Sequence, residues 1–254
     1  MTTAAPTTRP PVHRAVAAPA LLVGAILLLA LNMRGPLVAV SPVAGAIQDD
    51  LGIDAATVGL LTSLPVLCFG LATPAASLLL RRLGLGRGVL VALGVLVAGT
   101  LVRSMGDLPA AIAGTLLIGA AITVGNVAVP VVIGRDLPAH AGPVLGMYTA
   151  ALNLGSMLTL SLTAPIAGAT SWRVALAAWS LMVLVAAVVW WWAMRTAADG
   201  DASGPRRSAA VAGPAWWRRP VVWALTLAFA GQAFAYYGVT AWLPLLLSEE
   251  LGMS

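Results

Sequence analysis

Lysine is absent from this chain, and cysteine and histidine nearly so, with one Cys (Cys68) and two His (His13 and His140). Each absence removes a class of chemistry. Without lysine there is no Schiff base to a retinal, so a seven-helix photoreceptor is excluded. A lone cysteine excludes a disulfide within the chain and any thiolate metal cluster, and Cys68 reads as a small apolar packing residue. Charge is scarce at 9%, and all nine Asp and Glu fall at the ends of apolar runs or between them. An enzyme inside the bilayer would need a nucleophile with its base, paired acids or a His cluster, and none is present. No catalytic residue, cofactor or metal site is expected.

What the chain has instead is apolar length. Apolar residues make up 60% and the mean hydropathy is +0.94, the composition of an integral membrane protein. A helix needs about 20 residues to cross a hydrocarbon core of about 30 Å. Seven candidate spans meet that requirement, at 18–47, 55–80, 84–104, 108–133, 142–168, 172–194 and 220–247. The first run follows Arg9 and Arg14 as a signal peptide would, but it is too long and lacks a small-residue cleavage site. The basic excess is a topology signal, with no nucleic-acid partner implied. Taking the N-terminus as cytoplasmic, inner segments hold eleven of the fourteen basic residues: Arg9, Arg14, Arg81, Arg82, Arg87, Arg135, Arg195, Arg206, Arg207, Arg218 and Arg219. Outer segments hold only Arg103 and Arg173, read as interfacial or cap-region charges. The bias predicts a multi-pass plasma-membrane protein, N-terminus inside and C-terminus as given outside. Trp190, Trp191, Trp192, Trp216, Trp217 and Trp223 sit near the inner surface, where aromatic anchors are expected.

One polar interruption breaks the sequence of short loops. Residues 196–219 read as a cytoplasmic linker, after a tail at 1–17 and a six-helix bundle at 18–195, and before a seventh helix at 220–254. The first and seventh spans end alike, in Gln48-Asp49-Asp50-Leu51-Gly52 and Ser248-Glu249-Glu250-Leu251-Gly252, with Asp54 and Ser254 as matching N-cap candidates. The echo supports a repeat, with chance as the alternative, since only Leu and Gly are identical. Within the bundle, the first helix is expected to break at Arg34-Gly35-Pro36 and the fourth at Gly125-Asn126 with Pro130 beyond. Interrupted spans at matching places in two repeats point to a binding site, although Gly and Pro are common in membrane helices anyway. Arg34 stands out among these residues. A permanent charge at mid-membrane costs about 3 kcal/mol on insertion scales, so it normally faces protein or a watery cavity.

Several segments together resemble the cyanate and nitroimidazole transporter branch of the major facilitator superfamily. They are Leu31-Asn32-Met33-Arg34-Gly35-Pro36, Gly114 to Gly119 and Gly125-Asn126-Val127 to Pro130, Arg135-Asp136-Leu137-Pro138, Gly146-Met147-Tyr148, Ser171-Trp172-Arg173 and Ala241-Trp242-Leu243-Pro244. Between helices two and three, Arg81, Arg82, Gly84 and Arg87 keep the basic character of the superfamily loop motif but lack its usual acid. The resemblance implies an all-α fold: an N-terminal six-helix bundle of 3+3 inverted repeats, then a second bundle, with helices one, four and seven lining a central cavity. The chain supplies seven of twelve implied helices, so it reads as truncated, or as working with a missing C-terminal half.

Helical spacing selects the groups that can share such a cavity. Arg34 aligns with Ser41 in helix one, and Thr123 with Asn126 and Pro130 in helix four. Tyr148 aligns with Gly155 in helix five, leaving Asn153 off that face. Gln232 aligns with Tyr236 in helix seven, with Tyr237 adjacent. One guanidinium with amides and phenols suits a small anion or a planar polar molecule. Each residue has a plainer reading too, since Ser, Thr and Asn tie membrane helices together and tyrosines pack. The expected function is secondary active or facilitative transport of a small polar or anionic solute, of the cyanate-like anion or nitro-heterocycle class, by alternating access. No acid or histidine lies mid-span to carry a proton, which leaves coupling open. The competing reading is a transport-inactive fragment serving as a membrane-embedded interaction or structural module. The reading frame after Ser254 separates the two.

Overall fold

The computed structural model describes residues 17–200, 219–228 and 230–232, with side chains from 19 to 196 in the first stretch. The chain divides into two units, Met1–Ala202 and Ser203–Ser254, each taken by itself here. Among the described residues, eight α-helices build the first: α1 Ala17–Val38, α2 Ala44–Leu51, α3 Ala55–Leu71, α4 Thr73–Leu83, α5 Leu85–Arg103, α6 Leu108–Asp136, α7 Ala141–Ala169 and α8 Trp172–Gly200. No strand occurs among the described residues. Helix is the economical answer for such apolar runs, because lipid supplies no partner for a bare N–H or C=O. Among the described residues, five helices are long and apolar enough to cross a membrane, and α3 with α4 makes a sixth if the bent pair is one span.

Two expected spans are not straight rods. The first leaves helical geometry after Val38, passes through a 3-10 turn at Ser41–Val43 and resumes as α2. The second bends by 60° between α3 and α4. Pro74 explains that bend, because it has no N–H for the Gly70 carbonyl and its ring crowds the preceding turn. The Thr73 hydroxyl takes the neighbouring Phe69 carbonyl instead.

Small residues let the helices approach closely. α5 packs most extensively on α6, and α1 on α7 and α8. Between α5 and α6, a Cβ added at Gly99 would lie 2.9 Å from the Gly114 carbonyl oxygen, an approach of the kind that packs membrane helices without a hydrophobic driving force. The larger core joins Ile26, Leu29 and Met33 of α1 to Leu93, Ile122 and Trp190. A smaller one gathers Val40, Ile47, Leu61 and Leu176 near the turns at 52–54 and 170–171.

Two residues, Trp190 and Arg103, depart from their expected places. Trp190 is not a surface anchor, being fully buried with its indole N–H donating to the Gly86 carbonyl at 3.1 Å. Its neighbours Trp191 and Trp192 are exposed, and Arg195 lies 3.7 Å from the Trp191 ring centroid. Arg173 pairs with Asp50 at 2.5 Å, and Trp172 donates to the same carboxylate at 3.2 Å, which ties the end of α2 to the start of α8. Arg103 is 2% exposed, as deep as any core residue. Asp54 does cap α3, accepting from the Thr57 backbone N–H at 2.9 Å. Hydrogen bonding from the Thr57 side chain, and then from its backbone, holds the Asp54 carboxyl below the ordinary carboxylate range.

In the second unit an apolar helix runs over Pro220–Gln232. Gln232 is exposed on it, while Tyr236, Tyr237, Trp216, Trp217 and Ser254 lie outside the described residues.

Candidate functional site

Arg34 occupies the last turns of α1, half-buried where α1 meets α7. That meeting is close because each helix presents a glycine to the other. A Cβ at Gly155 would collide with the Leu31 carbonyl, and one at Gly35 would lie 2.6 Å from the Thr159 hydroxyl oxygen. With the helices in contact, the Arg34 guanidinium donates to the Asn153 side-chain oxygen at 3.1 Å. Asn153 is oriented for this, since its amide N–H donates to the Thr149 carbonyl one turn earlier at 3.1 Å. Tyr148 is buried on the α1-facing side of α7, within reach of the Arg34 charge. Asn153 lies on an exposed face, so the assembly sits at the surface of this unit.

Helix four behaves differently from expectation. α6 is continuous from Leu108 to Asp136, so Gly125 and Asn126 do not break it. Gly125 provides close approach instead: a Cβ there would strike the Met33 sulfur of α1. The next residues on each side of that contact are Asn126 and Arg34. Asn126 is exposed, and so is Pro130. Because proline lacks an N–H, Pro130 deprives the Asn126 carbonyl of its helical donor, leaving a bare carbonyl beside the side-chain amide.

Two of the aligned groups are placed elsewhere. Thr123 is buried, with its hydroxyl donating to Gly119 at 2.7 Å and facing the Cys68 carbonyl of α3 at 3.4 Å. It ties α6 to α3. Ser41 lies beyond the end of α1, in an exposed 3-10 turn, so seven-residue helical spacing does not carry it onto the face of Arg34. Asn153 is the partner that spacing missed. It stands off the Tyr148–Gly155 face as expected, yet arginine is long enough to reach across the helix edge, and no pattern along one helix encodes that reach. Asn32, adjacent in sequence to the arginine's own turn, is turned away and fully buried, with its amide donating to Leu28 at 2.8 Å and Met182 at 3.4 Å.

At the far end of the bundle, Arg81, Arg82 and Arg87 are exposed around Gly84, whose φ of 79° lets α4 turn directly into α5. Among the described residues no group of His, Cys, Asp or Glu is placed to hold a metal ion.

A bundle of apolar helices meeting through glycines, with a guanidinium and amides at its surface, defines a polytopic membrane protein carrying a polar site. The chain belongs to the Major Facilitator Superfamily, whose profile covers residues 20–254. It is 30% identical over 231 residues to the uncharacterized transporter YycB of Bacillus subtilis (strain 168), covering 90% of this chain and 56% of that protein. It is 30% identical over 227 residues to the 2-nitroimidazole transporter of Escherichia coli (strain K12), covering 89% and 57%. The cyanate transport protein CynX of the same organism matches at 29% over 163 residues, covering 63% and 42%. These similarities lie in the cyanate and nitroimidazole transporter branch, and the relatives are named as transporters, not as enzymes. The chain spans a little over half the length of the first two.

Proposed function

We propose that this chain contributes the N-terminal wall of a transporter that moves a small polar or anionic solute by alternating access, with Arg34 as the principal solute contact. The Arg34–Asn153 pair carries the reading: a guanidinium from the last turns of α1 held on a neutral amide at a surface of the bundle, near Tyr148. Arginine offers a rigid planar fork of donors suited to anions and to flat polar molecules. Asn126, with its bare backbone carbonyl, adds polar groups from α6, and Tyr148 adds an aromatic edge. Ser41 and Thr123 take no part. A cyanate-like anion or a nitro-heterocycle is the solute class, in keeping with what the two Escherichia coli relatives are named for.

In this reading the first unit is the N-terminal six-helix bundle of 3+3 inverted repeats, residues 196–219 link it to helix seven, and a further C-terminal half completes the cavity. The bundle lies in the plasma membrane with its N-terminus and the Arg81–Arg87 turn on the cytoplasmic side, as the basic bias directs. Uptake by cells expressing the complete transporter tests the central role. Arg34→Ala is expected to abolish uptake at normal protein levels, and Arg34→Lys to keep a small fraction, because an ammonium lacks the fork. Wild-type uptake by Arg34→Ala would end the assignment.

A further inference from the structure

Arg103, the last residue of α5, is an unusual place for a permanent charge. It is 2% exposed, its Nε has no hydrogen-bond partner, and no carboxylate among the described residues lies within ion-pair distance. A buried cation is costly unless strong hydrogen bonds compensate. Its position at a helix C-terminus helps only modestly. The principal compensation is one bond, from Nη1 to the Pro36 carbonyl oxygen at 2.6 Å.

That acceptor is not an ordinary carbonyl. α1 ends at Val38; the Ala39 N–H still returns to Gly35 at 3.0 Å, and the chain then turns into the 3-10 segment. The Pro36 carbonyl is therefore the first one past the helical ladder, and Arg103 takes it. Pro36 also immediately follows the Arg34-Gly35 step, and Gly35 is seated against Thr159. The backbone carrying Arg34 is thus clamped from α7 through Gly35 and from α5 through Pro36.

We infer that Arg103 is a positioning residue: its bond to the Pro36 carbonyl fixes where helix one stops and so aims Arg34 at the solute. The aiming step rests on the reading of Arg34 given above, whereas the pinning of the helix end stands without it. Two readouts keep them apart. Val40 is fully buried just past the pinned carbonyl, and Cys68 is the chain's one cysteine, so Cys68→Ala with Val40→Cys makes a reporter in the complete transporter. Loss of a buried bond from a charged donor predicts that Arg103→Met raises the rate of maleimide labelling at this reporter about tenfold. Arg103→Lys, which can still donate, should stay within about twofold of the parent. For uptake, Arg103→Met should raise KM with a smaller change in maximal rate, and Arg103→Lys should restore it.

Adding Pro42→Ala supplies an N–H for the Val38 carbonyl and removes the ring that disfavours helical geometry at Ser41, so the helix can run on and the Val40 N–H can satisfy the carbonyl at position 36. In that background Arg103→Met should accumulate in the membrane and change labelling by less than about twofold. Unchanged labelling in Arg103→Met alone overturns the inference, as does failure of Arg103→Met to accumulate both with and without Pro42→Ala. Normal uptake by Arg34→Ala would instead remove the aiming step and leave the labelling result to decide the pinning.

Discussion

Two glycine–proline segments in this bundle look alike in sequence and differ in structure. At Gly35-Pro36 the helix ends within a few residues, whereas at Gly125 to Pro130 it runs unbroken to Asp136. Both prolines remove an N–H from the helical ladder. The difference lies in what meets the backbone just past the proline. Near Pro36 a buried guanidinium from α5 captures a carbonyl and holds the chain in its new course. Near Pro130 the face is exposed, no tertiary donor to the backbone of that turn is found among the described residues, and the helix continues. Proline offers a break; a neighbouring helix decides whether it is taken.

The two glycines differ in the same way. Gly155, the α7 glycine that receives α1, faces backbone, the Leu31 carbonyl, while Gly125 faces the tip of the flexible Met33 side chain. Gly155→Ala should therefore have the largest effect of the changes considered. Backbone cannot swing aside, so α1 and α7 must separate, at a cost of about 2 kcal/mol or more. A large fall in the thermal midpoint and loss of uptake would register it. Gly125→Ala needs only a rotamer change at Met33, and about 1 kcal/mol or less is expected. Equal losses in the two variants would break the comparison.

The prolines give a medium-sized contrast. Pro36→Ala returns a donor to the Asn32 carbonyl inside α1 and shifts the turn that carries Arg34, so uptake should fall about tenfold, the scale of one misplaced hydrogen bond. Pro130→Ala restores a hydrogen bond to a helix that is already continuous, so uptake should stay within about threefold and stability should rise slightly. Similar losses from both would mean that α6 hinges after all.

Asp54 supplies the smallest effect and a pH signature. Its folded carboxyl lies below the ordinary range, so its contribution is present above the unfolded pKa and is lost as pH falls through the folded value. Asp54→Ala should lower the thermal midpoint slightly at neutral pH, and the gap from wild type should close below about pH 4, the unfolded carboxylate value. A gap independent of pH would remove the charge from the explanation.

How much of this was legible beforehand follows from what lipid does to sequence. The five spanning helices of the first unit, and the bent α3–α4 pair, could be read because each is a long apolar run, and the Asp54 cap because its chemistry is local. Burial could not be read. In a soluble helix a polar stripe marks the outside, but here both the core and the lipid-facing side are apolar, so Trp190 and Trp191 carry the same signal although one is enclosed and the other exposed. Arg34 and Arg103 show the same loss. The first announced itself by standing inside an apolar run, while the second, at a run's end, passed for an interfacial charge and proved the more buried. Asn153 was hidden for another reason, since its contact with Arg34 depends on how two helices cross and on the length of an arginine.

The most direct test of the account is ligand binding at Arg34. Purified complete transporter would be titrated with cyanate, with other small anions and with 2-nitroimidazole while its thermal midpoint is followed, in parallel for wild type and Arg34→Ala. The account predicts saturable stabilisation of the wild type by at least one of these compounds and none of the Arg34→Ala protein by the same compound. Stabilisation that is undiminished in Arg34→Ala would contradict it.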